Sequence, residues 1–517
     1  MELTDEQKAI INTVYNDEPV IKINAYAGSG KTTTLVEVVK EIIKINPNSK
    51  ILYLVFNRMM SQEASKKFPA PNVQCYTAHA FALRRMNMSG KVIKVLNNVD
   101  LSRECLREKE EHPKYKYVPF KKFKMLMDSY TLSRLCLKDF ILLVSEDGIA
   151  GEEFKPDELE FFEVVYKSLI KEDKYTHGMY LKEYALNHHD TIRGYDYVLL
   201  DEAQDLNMFM MDIVKRIERK KLYVVGDNYQ QIYAWNNAIN SMQKYEGKLY
   251  PLSKSFRFND EIREIADAIL RLQESYRTSE TKISNVHNNK DYDDSKVTIL
   301  FRTNAAMLER ALDLVYYNNE DKRIKVNFMA MINGGEANNF NDTFSEMLQF
   351  TKALLEGCYG KNSNICKEFD REFPIQITSA ALKSYIKIAE KENYRSFYEY
   401  VICNLYSFSL DYIKYWKIFD MLRGDVVEAF KSVRSAALIR NYEKEYTLCT
   451  AHRSKGLEWE YVIVASDDWK ITNLEEINLL YVACSRAIKK LDHLEIDNLL
   501  KNIKEQVDKE EVLSGSK

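Results

Sequence analysis

The sequence predicts an α/β fold built on parallel sheets, and three observations predict it. A β-branched run, Val20–Ile23, passes through a turn of small residues into the helical pattern LVEVVKEII. A second apolar run, Tyr197–Leu200, ends on two carboxylates, as a buried parallel strand does when its C-terminal end borders a crevice. Strand-like and helix-like stretches then alternate along the chain, which is what crossover helices over a parallel sheet require. At 517 residues the chain has room for about three or four ordinary domains.

Composition removes several classes. With 45% apolar and 29% charged residues, neither wholesale disorder nor a collagen-like repeat fits. No apolar run approaches the roughly 18 residues of a membrane helix, so no membrane partner is expected. The opening MELTDEQKAI lacks a basic stretch followed by an apolar core, so secretion is not expected. The eight cysteines never form a C-x-x-C pair, which argues against a zinc site or disulfide framework. An intracellular protein is expected, in cytoplasm or nucleus. A net charge of −3 excludes a uniformly basic coat but leaves room for a local basic groove.

The segment IKINAYAGSGKTTTL carries the sharpest chemistry. Gly28 and Gly30 let the backbone wrap, so that the N–H groups of Ala27, Gly28, Ser29 and Gly30 can turn toward an anion at a helix N-terminus. Lys31 can reach β- and γ-phosphates, Thr32 can ligate Mg²⁺, and Thr33 follows in the same turn. Ala25 stands where G-x-x-x-x-G-K-[ST] has its first glycine, which makes this a relaxed form of the motif. In YDYVLLDEAQD, Asp201 can hold Mg²⁺ and Glu202 can orient or deprotonate an attacking water. "Strand then Asp-Glu" alone is usually a solvated loop. Paired with the lysine 170 residues earlier, it points to nucleotide hydrolysis with ATP and Mg²⁺ as cofactors.

On these residues the chain resembles superfamily 1 DNA helicases of the UvrD/Rep/PcrA type, and among them the F-box DNA helicase group, with no F-box segment evident. The resemblance implies a role for each matching position. In LTDEQ, Gln7 reads the adenine edge. FNRMMSQEA and TAHAF resemble motifs that touch single-stranded DNA, through Phe56, Asn57, Thr77 and His79. VVGDNYQQIYAWNNA supplies Gln230 as γ-phosphate sensor, with Tyr233 and Trp235 toward DNA. In LSKSFRF, Phe256 stacks on adenine and Arg257 grips the γ-phosphate. ILFRTNA contributes Arg302, and TAHRSKGLE contributes His452 to DNA and Glu458 to the ribose. LYVACSRA supplies Arg486 as the second γ-phosphate arginine. YTHGMYL, ahead of the carboxylate strand, is similar to a segment of the F-box group. Where the family often has Trp-Arg-Gly, this chain has Trp235-Asn236-Asn237, which removes one cationic contact.

The resemblance implies two RecA-like parallel-sheet cores, each interrupted by a mainly helical insertion. The first core takes 1–83 plus 186–250, with an insertion at 84–185. The second takes 251–355 plus 444–517, with a short insertion at 356–443. ATP then lies between the cores, with Lys31 on one wall and both arginines on the other.

Bland readings stand beside several of these positions. Tyr233 fits a buried strand as well as a stacking platform, whereas Trp235 is assigned to DNA. A lone histidine is more often structural, and only the resemblance lifts His79. The lysines of KYKYVPFKKFK, 114–124, suit a solvated helix face as well as a phosphate backbone. His188-His189 lacks a third ligand spaced nearby. The expected activity is an ATP-driven helicase or translocase that moves 3′ to 5′ on single-stranded DNA and unwinds tailed duplex in repair, recombination or replication, working as a monomer. Stripping of proteins from single strands, suggested by the short second insertion, is one alternative. A nucleotide-gated subunit of a nuclease or defence complex is another, and Glu202 speaks against it.

Overall fold

Short β-branched runs become the strands of two parallel sheets in the computed structural model. It describes every residue except 1, 56–57, 69–70, 89–91, 150, 233–240, 287–294, 318–325, 329–339, 378, 406–407, 409, 438–445, 467–468, 470, 472, 494–495 and 502–517. The chain forms two compact units, 1–26 with 30–253, and 27–29 with 254–517.

The first unit holds a six-stranded sheet. Its strands are β1 (Val20–Ala25), β2 (Ile51–Val55), β3 (Val73–Thr77), β4 (Tyr197–Leu200), β5 (Lys221–Gly226) and β6 (Lys248–Leu252). They lie in the order β3-β2-β4-β5-β1-β6, every pair parallel. The central β2 and β5 are buried along their whole length, as strands covered on both faces must be. Helix α1 (Asp5–Asn12) begins with a capping box, Thr4 Oγ1 accepting from the Gln7 N–H while Gln7 Oε1 accepts from the Thr4 N–H. Helix α2 (Lys31–Ile45) starts after Gly30, whose φ of 78° is left-handed. It buries Leu35, Val38, Val39 and Ile42, worth about 2 kcal/mol each.

Between β3 and β4 the chain leaves the sheet for helices including Phe120–Leu132, Pro156–Lys171 and His177–Asn187. Aromatic rings fill their core, with Tyr130 edge-on to Phe140, Phe162 and Tyr166. The buried Lys182 donates to the carbonyls of Tyr130 and Leu135 at 2.8 and 2.9 Å, which satisfies the end of helix Phe120–Leu132.

The second unit carries β7 (Val297–Phe301), β8 (Val326–Phe328), β9 (Tyr446–Thr450), β10 (Trp459–Val464) and β11 (Ala487–Asp492), in the order β8-β9-β7-β10-β11 and all parallel. Between β8 and β9 lie helices including Ser345–Tyr359, Ala380–Lys391, Phe397–Asn404 and Val426–Ala437. Helix α3 (Leu474–Cys484) connects β10 to β11. Among the described residues, no helix is long and apolar enough to cross a membrane.

Four expected boundaries fall inside these elements, one of them at 185/186 within the helix His177–Asn187. The break at 83/84 falls inside the helix Ala78–Met88, and the break at 355/356 falls inside Ser345–Tyr359. Apolar spacing runs through the second of these helices, at Leu348, Phe350, Leu354 and Leu355, so nothing in the pattern marks a stop. The end set at 250 cuts β6, which runs on through Pro251 to Leu252; proline is tolerated there because β6 is an edge strand.

Candidate nucleotide and nucleic-acid sites

In the first unit the chemistry gathers where neighbouring parallel strands end. Asp201 follows β4, Asp227 follows β5, and the loop after β1 leads into α2 with Lys31 at its head. Lys31 Nζ pairs with Glu202 Oε1 at 2.9 Å. Glu202 sits in the left-handed region at φ 52°, a conformation that costs a non-glycine residue about 1–3 kcal/mol and is concentrated at functional sites. Its N–H donates to Asp201 Oδ1 (2.9 Å), and Gln204 Nε2 donates to its Oε2 (2.5 Å). The Tyr53 hydroxyl donates to Asp201 Oδ2 at 2.7 Å. Asp227 accepts from Gln230 Nε2 (2.7 Å) and from the Tyr229 N–H (2.9 Å). A Cβ on Gly226 would lie 2.4 Å from Gln204 Oε1, so the glycine leaves room for this side chain as it is placed.

The electrostatics of this cluster are lopsided. Asp201, Glu202 and Asp227 are all buried, and Lys31 is the cation they share. Burial alone would lower the Lys31 ammonium, but Glu202, Asp201 and Asp227 together hold it above its usual value. Burial, then repulsion from Glu202, raises Asp201; burial raises Asp227. The Asp201 and Asp227 carboxylates at the strand ends and the Thr32 hydroxyl in the first turn of α2 are hard oxygen donors, the type a divalent cation takes, but the three acids do not converge as a preformed ligand group. Gln7 is tied to the same turn: its Nε2 donates to Thr34 Oγ1 at 3.1 Å, and Thr34 in turn donates to the Gly30 carbonyl. Thr33 is exposed.

The second unit includes Ala27–Ser29. The Ala27 N–H donates to the Tyr481 hydroxyl (3.1 Å) and the Phe256 N–H to the Gly28 carbonyl (2.9 Å). Gly28 has φ 72°, and a Cβ there would meet Arg257 Cβ at 2.4 Å. The Ser29 hydroxyl is buried without a hydrogen-bond partner. Arg257 Nε donates to Glu458 Oε2 and its Nη1 to the Ser485 carbonyl, both at 2.9 Å. Arg486 is 2% exposed and donates to the carbonyls of Val482 (2.8 Å) and Leu457 (3.2 Å) and to Ser485 Oγ (3.0 Å). Ser485 thus joins the two arginines. Phe256 is half-buried.

Of the residues expected to meet DNA, Phe56, Asn57, Tyr233 and Trp235 lie outside the described residues. Thr77 caps the helix Ala78–Met88, its Oγ1 accepting from the Ala80 N–H (3.1 Å). His79 stands edge-on to His177 and Tyr180, and burial, helped by His177, pushes its imidazole down to about 4. Arg302 is held by Glu476. His452 is also pushed down to about 4, by burial and then by Arg302. Arg302 and His452 line one cavity of about 260 Å³. The lysine run at 114–124 is largely engaged, Lys114 with Glu160 and Lys122 with Glu152 (both 2.7 Å) and Lys124 with Asp128, which favours the solvated-face reading. Among the described residues His188 and His189 join no metal-ligand cluster; the one present, Glu108, Glu111 and His112, is mostly exposed.

Sequence reasoning missed Tyr53, Gln204, Asp227, Tyr481, Ser485 and Glu476. Asp227 carried the same signal as Asp201, an acid directly after an apolar strand, and could have been found by it.

The model of the UvrD/REP helicase N-terminal domain matches residues 3–251, and that of the UvrD-like helicase C-terminal domain matches 446–491, together more than half of the chain. The chain belongs to the UvrD-like helicase family. As a UvrD-like chain it is 26% identical to F-box DNA helicase protein 1 of Schizosaccharomyces pombe over 95% of its own length and 57% of that protein. It is 24% identical to F-box DNA helicase 1 of Gallus gallus over 95% and 48%. A probable DNA helicase II homolog of Mycoplasma pneumoniae is 23% identical over 95% of the chain and 83% of that protein. The chain spans about half the length of the F-box relatives it matches.

Proposed function

We propose that this chain is a DNA-dependent ATPase that drives a helicase. The observation that carries the reading is the buried cluster of Lys31 with Asp201, Glu202 and Asp227 at adjacent strand ends, in a chain of the UvrD-like family. Lys31 binds the β- and γ-phosphate oxygens, and the loop Ala27–Gly30 offers its N–H groups to them. Glu202 orients the attacking water and accepts its proton, with Gln204 and the strained backbone fixing the carboxylate. Gln230, held by Asp227, reports the γ-phosphate. Arg257 and Arg486 act on the charge of the transferring phosphoryl group, while Gln7, Phe256 and Glu458 are assigned to the base and ribose. Asp201 and Thr32 would hold a divalent cation, Mg²⁺ by the donor set, which when bound neutralises phosphate charge.

The track is single-stranded DNA, with 3′-to-5′ movement resting on the family resemblance. The two parallel sheets are assigned as RecA-like cores and the helical stretches as insertions. Stripping of bound proteins with little unwinding is a second reading, favoured by the short second insertion. Steady-state ATPase with and without single-stranded DNA, paired with unwinding of 3′- and 5′-tailed duplexes, tests the proposal. Unwinding of the 3′-tailed substrate by the purified chain supports it, stimulated ATPase without unwinding shifts it to stripping, and no stimulation by DNA rejects it.

A further inference from the structure

Glu476 belongs to none of the motifs that suggest a function. It lies in the first turn of α3, where its N–H donates to Asn473 Oδ1 (3.0 Å). Its carboxylate grips Arg302 with fork geometry, Oε2 accepting from Nε at 2.9 Å and Oε1 from Nη2 at 2.6 Å. Charge-assisted pairs of this kind fix a guanidinium's plane as well as its position. The pair is largely shielded, with side-chain exposures of 29% for Arg302 and 14% for Glu476.

The surroundings say why such a grip is needed. The cavity that Arg302 shares with His452 is also lined by Glu346, Asp411 and Arg453. Glu346 is engaged by the Tyr412 hydroxyl (2.8 Å), and Asp411 lies near enough to act on Arg302. A long, flexible arginine side chain would have competing carboxylates to turn to. Glu476 selects one orientation in advance. It does so from an eleven-residue helix about 16 Å long, whose other end leads into Ser485 and the buried Arg486.

We propose that Glu476 is a positioning residue for single-strand binding, presenting Arg302 to the cavity beside His452. The inference rests on the assignment of Arg302 to the DNA track. The test is ATPase activity titrated with single-stranded DNA, on the full chain. Glu476→Gln keeps the shape of the side chain but loses half of the fork. It should raise the DNA concentration for half-maximal stimulation about tenfold, the size of one charge-assisted hydrogen bond, while DNA-free turnover stays at the parental rate. Arg302→Ala should shift the same concentration, and the double variant should add little to it, as expected for two residues that act as one unit. A shift in Arg302→Ala with none in Glu476→Gln, or fully additive shifts, overturns the role of Glu476 and leaves the DNA assignment standing. An unmoved DNA dependence in Arg302→Ala removes the DNA assignment, and the role of Glu476 falls with it.

Discussion

Two regions of this molecule hold buried charge by opposite means. In the first unit, Asp201, Glu202 and Asp227 crowd around Lys31, so the pocket carries more negative than positive charge. In the second, Arg486 donates to the carbonyls of Val482 and Leu457 and to Ser485 Oγ, neutral acceptors that hold the guanidinium in place. Burial and crowding in the first unit raise Asp201 and Asp227, and an added cation would relieve the crowding. Backbone acceptors around a guanidinium offset part of its desolvation while fixing its direction. Arg302, neutralised by Glu476, illustrates a third use, in which orientation matters more than free charge.

The sharpest way to break this contrast is Arg486→Ala. Turnover of ATP should fall by about 10³-fold or more, the usual contribution of an arginine to phosphoryl transfer, while binding of a fluorescent nucleotide stays measurable. Retained ATPase would refute the role of Arg486. Glu202→Gln should lower turnover about 10²- to 10⁴-fold as a lost general base. Because it removes one of three crowded carboxylates, the apo protein should be no less stable in thermal unfolding. Mg²⁺ should raise the melting temperature by a few degrees in the parent chain and by less in Asp201→Asn, with chelation reversing the gain; an equal gain in both would detach Asp201 from the cation.

The smallest effect concerns pH. His79 and His452 are pushed down to about 4 in the fold, below the ordinary histidine value. A base with a depressed native value contributes stability that is present above its unfolded value of about 6.5 and is lost as pH falls toward the native one. Denaturant midpoints should therefore drop as pH falls from about 7 to about 4, and the drop should shrink in His79→Gln and His452→Gln. A flat profile in the parent would contradict the depressed values of both rings.

The α/β class was legible because β-branched runs, Val20–Ala25 and Tyr197–Leu200 among them, end in the small or acidic residues that strand ends need. The places of Lys31 and Glu202 just beyond those runs were legible for the same reason. Their supports were not. Tyr53 reaches Asp201 across 148 positions and Glu476 reaches Arg302 across 174, and no spacing rule connects such residues. The expected boundaries at 83/84 and 355/356 fall within continuous helices, whose apolar period carries no mark of a stop there.

Both helical excursions leave from border strands: β3 at one margin of the first sheet, β8 at one margin of the second. Each returns to an interior strand, β4 in the first sheet and β9 in the second, so an appendage between them can change length without breaking any strand-to-strand pairing. Such a scaffold can trade one appendage for another across generations while the reacting centre stays in register, so appendage size is a poor guide to common descent and a good place to look for divergence in task.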